Sequence, residues 1–249
     1  MKNLIKGLLV ILSLFLVSCY GTDDDTNEAC SGNCNVFTGR VYTENNIGIS
    51  NVEVSLTYEL NQIGAAYKRI IAKTNTDANG NYRIEAFIKD GEFNVGYFFL
   101  RVDENKIENS LSNIFYKPSE LQNEIVLNIN EYFVQGLTNR SQIVNIDYRI
   151  PLKTVLNVSL INFNPITTND LFRVRNKIKY GFQTDFNKYF TKSQNEGTAT
   201  GINSTLIIPG VYGINEINLF KIKNNVSESL SENVNVSNPN TTGTLTYQY

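Results

Sequence analysis

Apolar and polar residues alternate along most of the chain after residue 35, and this period-two pattern is typical of half-buried β-strands. The segments VFTGRVY, YKRIIAKTNT and YRIEAFI follow it. In ISNVEVSLTYE one face carries the apolar residues Val52, Val54, Leu56 and Tyr58. No helical period of comparable strength occurs, since PSELQNE allows at most a turn or two. The pattern therefore predicts an all-β chain.

The clearest turn signal is the sequence DANGNY between two predicted strands. It predicts a tight hairpin in which Asp77 caps backbone amides and Gly80 adopts a positive φ. Tyr82 is in phase with the apolar residues of the next strand and is expected in the core. The alternative is a calcium loop, because Asn75, Asp77 and Asn79 alternate before the glycine as in an EF-hand. The twelfth loop position is alanine instead of glutamate, so the hairpin is favoured and no metal site is predicted.

Three segments around this turn form a larger pattern, namely GRVYTENNIGISNVEVSL, TNTDANGNYRIEAF and DGEFNVGYFFLRVD. They resemble the transthyretin-like or carboxypeptidase-regulatory-like β-sandwich, whose motifs are Gly-x-Val, Gly-Val-x-Val, Thr-Asp-x-x-Gly-x-Tyr and Gly-x-Tyr-x-Val. The matching positions are Gly39–Val41, Ser50–Val54, Thr76–Tyr82 and Gly91–Val95. The chain departs from the family at Ser50-Asn51, where a small residue and glycine are preferred, and at Phe93, which replaces tyrosine. The resemblance implies a Greek-key sandwich over residues 36–150 that serves as a stalk or docking module.

A second strand pattern begins after the sequence YRIP, where Pro151 interrupts the first one. KTVLNVSLINF opens this half, and further strand segments lie near residues 171–180, 204–208, 214–223 and 243–249. Their spacing predicts a second β-sandwich over residues 151–249. The predicted fold is therefore two β-sandwich domains in tandem.

Residues 1–18 have the pattern of a secretory leader. Two lysines precede an apolar stretch from Leu8 to Val17 that is broken only by Ser13. This stretch is too short to cross a bilayer of roughly 30 Å as a helix. The sequence LVSC that ends at Cys19 resembles the lipobox of bacterial lipoproteins, which implies that Cys19 is acylated, for instance with palmitate, and begins the mature chain. The alternative is an ordinary leader with an unrelated cysteine.

An acidic segment, residues 19–35, follows the leader and carries Asp23, Asp24 and Asp25. It resembles the tether that carries lipoproteins to the outer face of the outer membrane in Bacteroidota. The resemblance implies a protein held in that membrane by its acyl chains and facing the cell exterior. The alternative is a solvated, self-repelling spacer. Cys30 and Cys34 near its end are predicted to form a disulfide, with two free thiols as the alternative.

The amino-acid composition limits the classes of catalysis, metal site and partner that are expected for this chain. The chain contains no histidine, which excludes Ser-His-Asp and Cys-His catalysis and histidine-containing zinc sites. A formal net charge of −2 argues against nucleic acid as a partner. Nucleotide-binding and nucleophile-elbow motifs do not occur, so no cofactor is predicted. Carboxylates alone can hydrolyse glycosides, so a glycoside hydrolase that uses Asp170, Asp185 or Glu196 is a further, less favoured alternative. The spacing of these residues does not identify an acid and a nucleophile.

One strand pattern indicates a binding face. In FRVRNKIKYGF, basic and mostly apolar residues occupy alternate positions. The basic residues are Arg173, Arg175, Lys177 and Lys179. Such a row can contact an acidic glycan or lipopolysaccharide phosphate. The alternative is a solvated strand face or a charged edge that discourages aggregation. A group of aromatic residues in the same region is interpreted either as a sugar-stacking platform or as packed side chains. Its members are Tyr180, Phe182, Phe186, Tyr189 and Phe190.

These features predict a non-catalytic, lipid-anchored protein of the cell envelope that binds a glycan or an adhesion ligand. The alternative is a structural or docking role beside an outer-membrane transport or assembly complex. In that case the expected partner is another envelope protein.

Overall fold

The computed structural model describes residues 19–24, 30–62, 65–103, 114–117, 120, 130–184, 188–199, 205–238 and 241–248. Within these residues the chain is nearly all β, with two short 3-10 helices, Glu44–Asn46 and Asp90–Glu92, and no α-helix. This confirms the predicted all-β fold. In chain order the strands are β1 (Cys19–Asp24), β2 (Asn35–Tyr42), β3 (Glu53–Gln62), β4 (Ala65–Asn75), β5 (Asn81–Ala86), β6 (Tyr97–Asp103), β7 (Glu131–Phe133), β8 (Ile143–Asn145), β9 (Tyr148–Arg149), β10 (Lys153–Ile161), β11 (Leu171–Thr184), β12 (Lys188–Ala199), β13 (Thr205–Val211), β14 (Gly213–Lys223), β15 (Val226–Val236) and β16 (Thr242–Gln248).

The described strands form three sheets. The first sheet has the order β1-β4-β3-β6-β7. In the second sheet β15-β14-β11-β9-β2-β5 form the main path, while β12 pairs with β11 and β8 pairs with β2. The third sheet has the order β13-β10-β16. Most pairs are antiparallel, whereas β1 on β4, β8 and β9 on β2, and β16 on β10 are parallel.

Two hydrophobic cores lie between these sheets. The first core joins the first sheet to the β2, β5 and β9 part of the second sheet, and it includes the fully buried Leu56, Leu100 and Phe37. The second core joins β10 and β13 to β11 and β14, and it includes the fully buried Leu156 and Phe163. Removal of this apolar surface from water is the main force that holds the sheets together.

Strand β11 contributes to both cores. Phe172 and Val174 near its start lie in the second core, whereas Ile178 and Tyr180 lie in the first. In addition, β9 pairs with β2 on one side and with β11 on the other, so the second sheet continues across the predicted boundary at residue 150. The two cores therefore share one sheet, and the division into residues 36–150 and 151–249 stays a prediction.

The turn between β4 and β5 is held by one carboxylate. Oδ1 of Asp77 accepts hydrogen bonds from the backbone N–H groups of Asn79 and Asn81, both at 2.8 Å. Bonds from the Asn81 side chain and backbone hold the pKa of Asp77 below its ordinary value. Gly80 adopts a φ of +79°, and Tyr82 lies in the first core. Both carboxylate oxygens of Asp77 thus accept hydrogen bonds within the turn.

The start of the acidic segment forms an edge strand. β1 pairs in parallel with β4, and Oδ2 of Asp23 accepts a 2.7 Å hydrogen bond from the Tyr67 hydroxyl. Burial and this carboxylate raise the pKa of Tyr67 to about 12. CYGTDD has no alternating apolar pattern, so this strand depends on the open edge of β4 rather than on its own sequence. Asp24 is exposed, whereas Asp25 and the predicted leader lie outside the described residues.

A disulfide between Cys30 and Cys34 closes a short loop just before β2, with the two Cα atoms 6.1 Å apart. Cys19 begins β1, and its side chain lies outside the part that the structure describes. Among the described residues, no helix has the length and the apolar character needed to cross a membrane.

Candidate functional site

The four basic residues of β11 lie on one side of the second sheet. Arg173, Arg175 and Lys177 are half-buried and Lys179 is exposed. The residues between them face the cores and are all buried; they are Phe172, Val174, Asn176, Ile178 and Tyr180. The strand therefore has one cationic side towards solvent and one core side.

Neighbouring strands extend this side with five polar residues and one phenylalanine. In register with the basic residues, β14 carries Glu216, Asn218 and Phe220. Beyond them, β15 carries Ser229, Ser231 and Asn233. Residues directly opposite each other on antiparallel strands share a face, so these positions and the basic row form one surface. We call these ten residues of β11, β14 and β15 the cationic face.

Two adjoining clefts run along the cationic face. One, of about 610 Å³, lies at the end with Lys177 and Lys179 and reaches Arg149. The other, of about 510 Å³, lies at the end with Arg173 and Arg175. Volumes of this size fall in the range that accommodates small ligands.

Basic side chains outnumber carboxylates around these clefts. Among the described residues, their linings contain five basic residues and three glutamates. Nζ of Lys177 lies 2.6 Å from a carboxylate oxygen of Glu216, and both side chains are about one third exposed. Glu44 and Arg149 form a second, more deeply buried ion pair between the first 3-10 helix and β9. The cationic face is therefore a positively charged surface rich in hydrogen-bonding groups, as an anionic ligand requires.

The aromatic residues predicted near this face are only partly described. Tyr180 and Phe182 are 1% and 3% exposed and belong to the first core, so they do not form a ligand platform. Tyr189 and Phe190 lie in β12, but their side chains are outside the described part of the structure. A stacking role for Tyr189 and Phe190 stays a prediction.

Of the three carboxylates considered for glycoside hydrolysis, Asp170 accepts hydrogen bonds from the loop before β11. Oδ2 of Asp170 accepts a 2.9 Å hydrogen bond from the Ile166 N–H, and Oδ1 accepts a 2.8 Å bond from the Thr167 hydroxyl. These bonds hold the pKa of Asp170 below its ordinary value. Asp170 therefore caps the loop before β11. Asp185 and the side chain of Glu196 lie outside the described part of the chain.

Three aromatic residues on the outer side of the first sheet were not predicted as a site. They are Tyr97, Phe99 and Phe133. The start of β6 reads YFFL, and an apolar run of this kind does not reveal which side is buried. A signal was nevertheless present, because the polar Arg101 and Asp103 are in phase with Tyr97 and Phe99 and mark the solvent side.

Similarity to known proteins is low. No family model matches the chain, and no curated protein matches it. The Bacillus anthracis TIE protein is similar at 10% identity and a TM-score of 0.30, over 86% of this chain and 34% of that one. A streptococcal ancillary pilin is similar at 11% identity and a TM-score of 0.29, over 87% and 63%. BcpA, the major pilin subunit of Bacillus cereus, is similar at 14% identity and a TM-score of 0.26, over 81% and 68%.

This chain thus spans about a third of the length of the TIE protein and less than two thirds of the ancillary pilin. At TM-scores of 0.30 and below, none of these three structures assigns the chain to a family or an activity. The resemblance to the transthyretin-like family accordingly stays a resemblance of motifs.

Proposed function

We propose that this chain is a non-catalytic protein of the cell envelope that binds an acidic glycan on its cationic face. The observation that carries the proposal is the row of Arg173, Arg175, Lys177 and Lys179 on one solvent-facing side of β11. Alternate residues of a strand are roughly 6.6 Å apart, so the row presents charges over about 20 Å. A row of that length matches several units of a polymer that carries repeated carboxylate, sulfate or phosphate groups.

The sheet supports this role because it fixes the backbone of the strand that carries the four basic residues. The core residues Phe172, Val174 and Ile178 anchor the opposite side of the same strand. The clefts beside the row add serine and asparagine side chains that can hydrogen-bond sugar hydroxyls. Arginine recognises planar anions with two parallel hydrogen bonds, which gives the Arg173 and Arg175 end the greater selectivity.

Replacing Arg175 and Lys179 together by glutamine is expected to weaken binding to an acidic polysaccharide by about tenfold or more, because two charge-assisted contacts are lost. Polygalacturonate and a sulfated dextran are suitable probes, followed by affinity electrophoresis at low and at physiological salt. The matched control replaces Arg83 and Lys221 by glutamine, which removes the same charge from residues outside the cationic face that pair with Glu85 and Glu228. An equal loss in both double variants would show a non-specific charge effect and contradict the proposal.

The proposed location is the outer membrane, facing the cell exterior, with acyl chains on Cys19 as the anchor and Asp23, Asp24 and Asp25 as the export signal. Asp23 and Asp24 belong to β1 in the folded chain. The LVSC sequence and the acidic residues after it support this location. Two or more acyl chains bind a bilayer stably, since each buried methylene contributes about 0.8 kcal/mol.

The Cys19→Ala variant is therefore expected to move the protein from the membrane fraction to the soluble fraction. The matched control is Cys30→Ala with Cys34→Ala, which removes the disulfide and leaves the anchor in place. Fractionation followed by immunoblotting measures both variants, and protease added to intact cells tests the outward orientation. Retention of Cys19→Ala in the membrane fraction would overturn the anchor.

A further inference from the structure

The solvent-facing side of the first sheet carries three aromatic rings in mutual contact. We call Tyr97 and Phe99 of β6 and Phe133 of β7 the aromatic triad. The ring centroids of Tyr97 and Phe99 are 6.5 Å apart, those of Tyr97 and Phe133 5.6 Å, and those of Phe99 and Phe133 5.8 Å. Each ring therefore contacts the other two in a closed triangle.

Strand register places these rings outside the core. Phe99 lies directly opposite Phe133, and Tyr97 lies two residues before Phe99 on the same face. The intervening Phe98 and the following Leu100 take the core side and are 3% and 0% exposed. Tyr97 and Phe133, by contrast, are 51% and 41% exposed. The exposed aromatic surface is therefore additional to what the first core needs.

A charged rim borders the aromatic triad at one end. The Arg101 guanidinium lies 5.0 Å from the Phe99 ring centroid. Arg101 donates hydrogen bonds to Glu131 at 2.6 Å and to Glu59 at 3.0 Å, and Lys68 lies 3.5 Å from Glu59. Among the described residues, two basic and two acidic side chains thus form a rim whose charges balance. Its groups are held in place and combine donors with acceptors.

The size of the exposed surface indicates the kind of ligand. An aromatic side chain offers about 150–250 Å². At the observed exposures the aromatic triad presents on the order of 250 Å² to solvent, whereas a stable protein interface needs about 800 Å² from each partner. The aromatic area alone is therefore smaller than one side of a stable protein interface, and it matches the size of a small ring-shaped ligand. The neutral rim favours an uncharged ligand, in contrast to the cationic face on the second sheet.

We propose that the aromatic triad is a binding site for a neutral carbohydrate. Tyr97 and Phe133 stack against the apolar faces of sugar rings, and the Tyr97 hydroxyl and the charged rim hydrogen-bond the sugar hydroxyls. This site lies on a different sheet from the cationic face and does not depend on the acidic-glycan proposal.

The test uses the purified full chain in affinity electrophoresis with four neutral polysaccharides, namely a β-glucan, an α-mannan, dextran and xylan. We expect at least one of them to retard the wild-type protein. Tyr97→Ser and Phe133→Ser should each weaken that binding by roughly tenfold or more, because a stacked ring is lost. Tyr97→Phe should retain most of it, since the ring remains.

Phe87→Ser is the matched control, because Phe87 is also an exposed phenylalanine, at 39%, but lies outside the aromatic triad. Thermal melting of each variant identifies any that fail to fold. The proposal is overturned if none of the four polysaccharides retards the wild-type protein, or if Phe87→Ser weakens binding as much as Phe133→Ser. It is equally overturned if the triad variants reduce only self-association or binding to phospholipid vesicles. Unchanged binding of Arg175→Gln with Lys179→Gln to the neutral polysaccharide would show that the two sites are separate.

Discussion

The Glu92→Ala variant is expected to lose about 3–5 kcal/mol of unfolding free energy, because it removes one half of a buried ion pair. Arg69 is 2% exposed, and its Nε donates a 2.7 Å hydrogen bond to Oε1 of Glu92. A second bond joins the Arg69 guanidinium to Oε2. Glu92 also accepts a 2.9 Å bond from the Lys89 N–H, so one carboxylate supports both the first core and the second 3-10 helix. Its removal leaves a guanidinium in the core without these two charge-assisted bonds.

Urea unfolding followed by circular dichroism measures this loss. Glu85→Ala is the matched control, since Glu85 pairs with Arg83 at 2.8 Å but both side chains are more than half exposed. An exposed pair of this kind contributes at most about 1 kcal/mol, because water screens it. If Glu92→Ala and Glu85→Ala shifted the urea midpoint equally, the buried pair would contribute no more to the unfolding free energy than the exposed pair, which contradicts the prediction.

The Gly39→Ala variant is expected to destabilise the first core by about 3 kcal/mol, near the upper end of overpacking costs. A Cβ atom on Gly39 would overlap the backbone carbonyl of Ile146 and approach the Tyr82 hydroxyl. These two groups are themselves joined, since the Tyr82 hydroxyl donates a 2.6 Å hydrogen bond to the Ile146 oxygen. The Ile146 N–H also donates to the Thr38 oxygen at 2.9 Å, so the carbonyl cannot move without breaking the pairing beside β2.

Gly91→Ala provides the comparison, because a Cβ atom there would contact nothing within 4 Å. We expect Gly91→Ala to change stability by less than about 0.5 kcal/mol, as is usual for surface positions. Thermal and urea unfolding of the two variants measures the difference. Equal midpoints would mean that the backbone beside Gly39 relaxes freely.

Where one side of a strand is apolar, the alternating pattern was sufficient to predict which side chains are buried. Val52, Val54, Leu56 and Tyr58 are all buried on one side of β3 or just before it, as the alternation requires. The same holds for β11, whose basic and core residues alternate. Side chains of a strand change sides at every residue, so this information is contained in a few consecutive positions.

Such local patterns could not predict which strands pair with each other. β9 has only two residues, yet it joins β2 to β11 and makes the second sheet continuous. β1 forms on the edge of β4 although its own sequence has no strand pattern. Both strands exist because segments far apart in the chain offer them hydrogen-bonding partners, and the sequence of each contains no record of that partner.

The candidate sites likewise have one part that the sequence predicted and other parts that only the folded chain shows. The basic row of β11 was visible in the sequence, but Glu216, which pairs with Lys177, is 39 residues away in the chain. The clefts depend on β14 and β15 and therefore only appear in the folded chain. The aromatic triad joins β6 to β7, and a long connection separates these strands.

By itself, the sequence determined the strands with an alternating apolar pattern, such as β3 and β11, together with the turn at Asp77 and Gly80 and the row of basic residues along β11. Each of these features depends on neighbours within a few residues. The tertiary structure decided which strands are adjacent and which aromatic residues remain exposed. Tyr97 and Phe98 show the difference, since they are consecutive aromatic residues of one strand and are 51% and 3% exposed. The opposing sheet covers only one side of β6, and that sheet is built from residues distant in the chain.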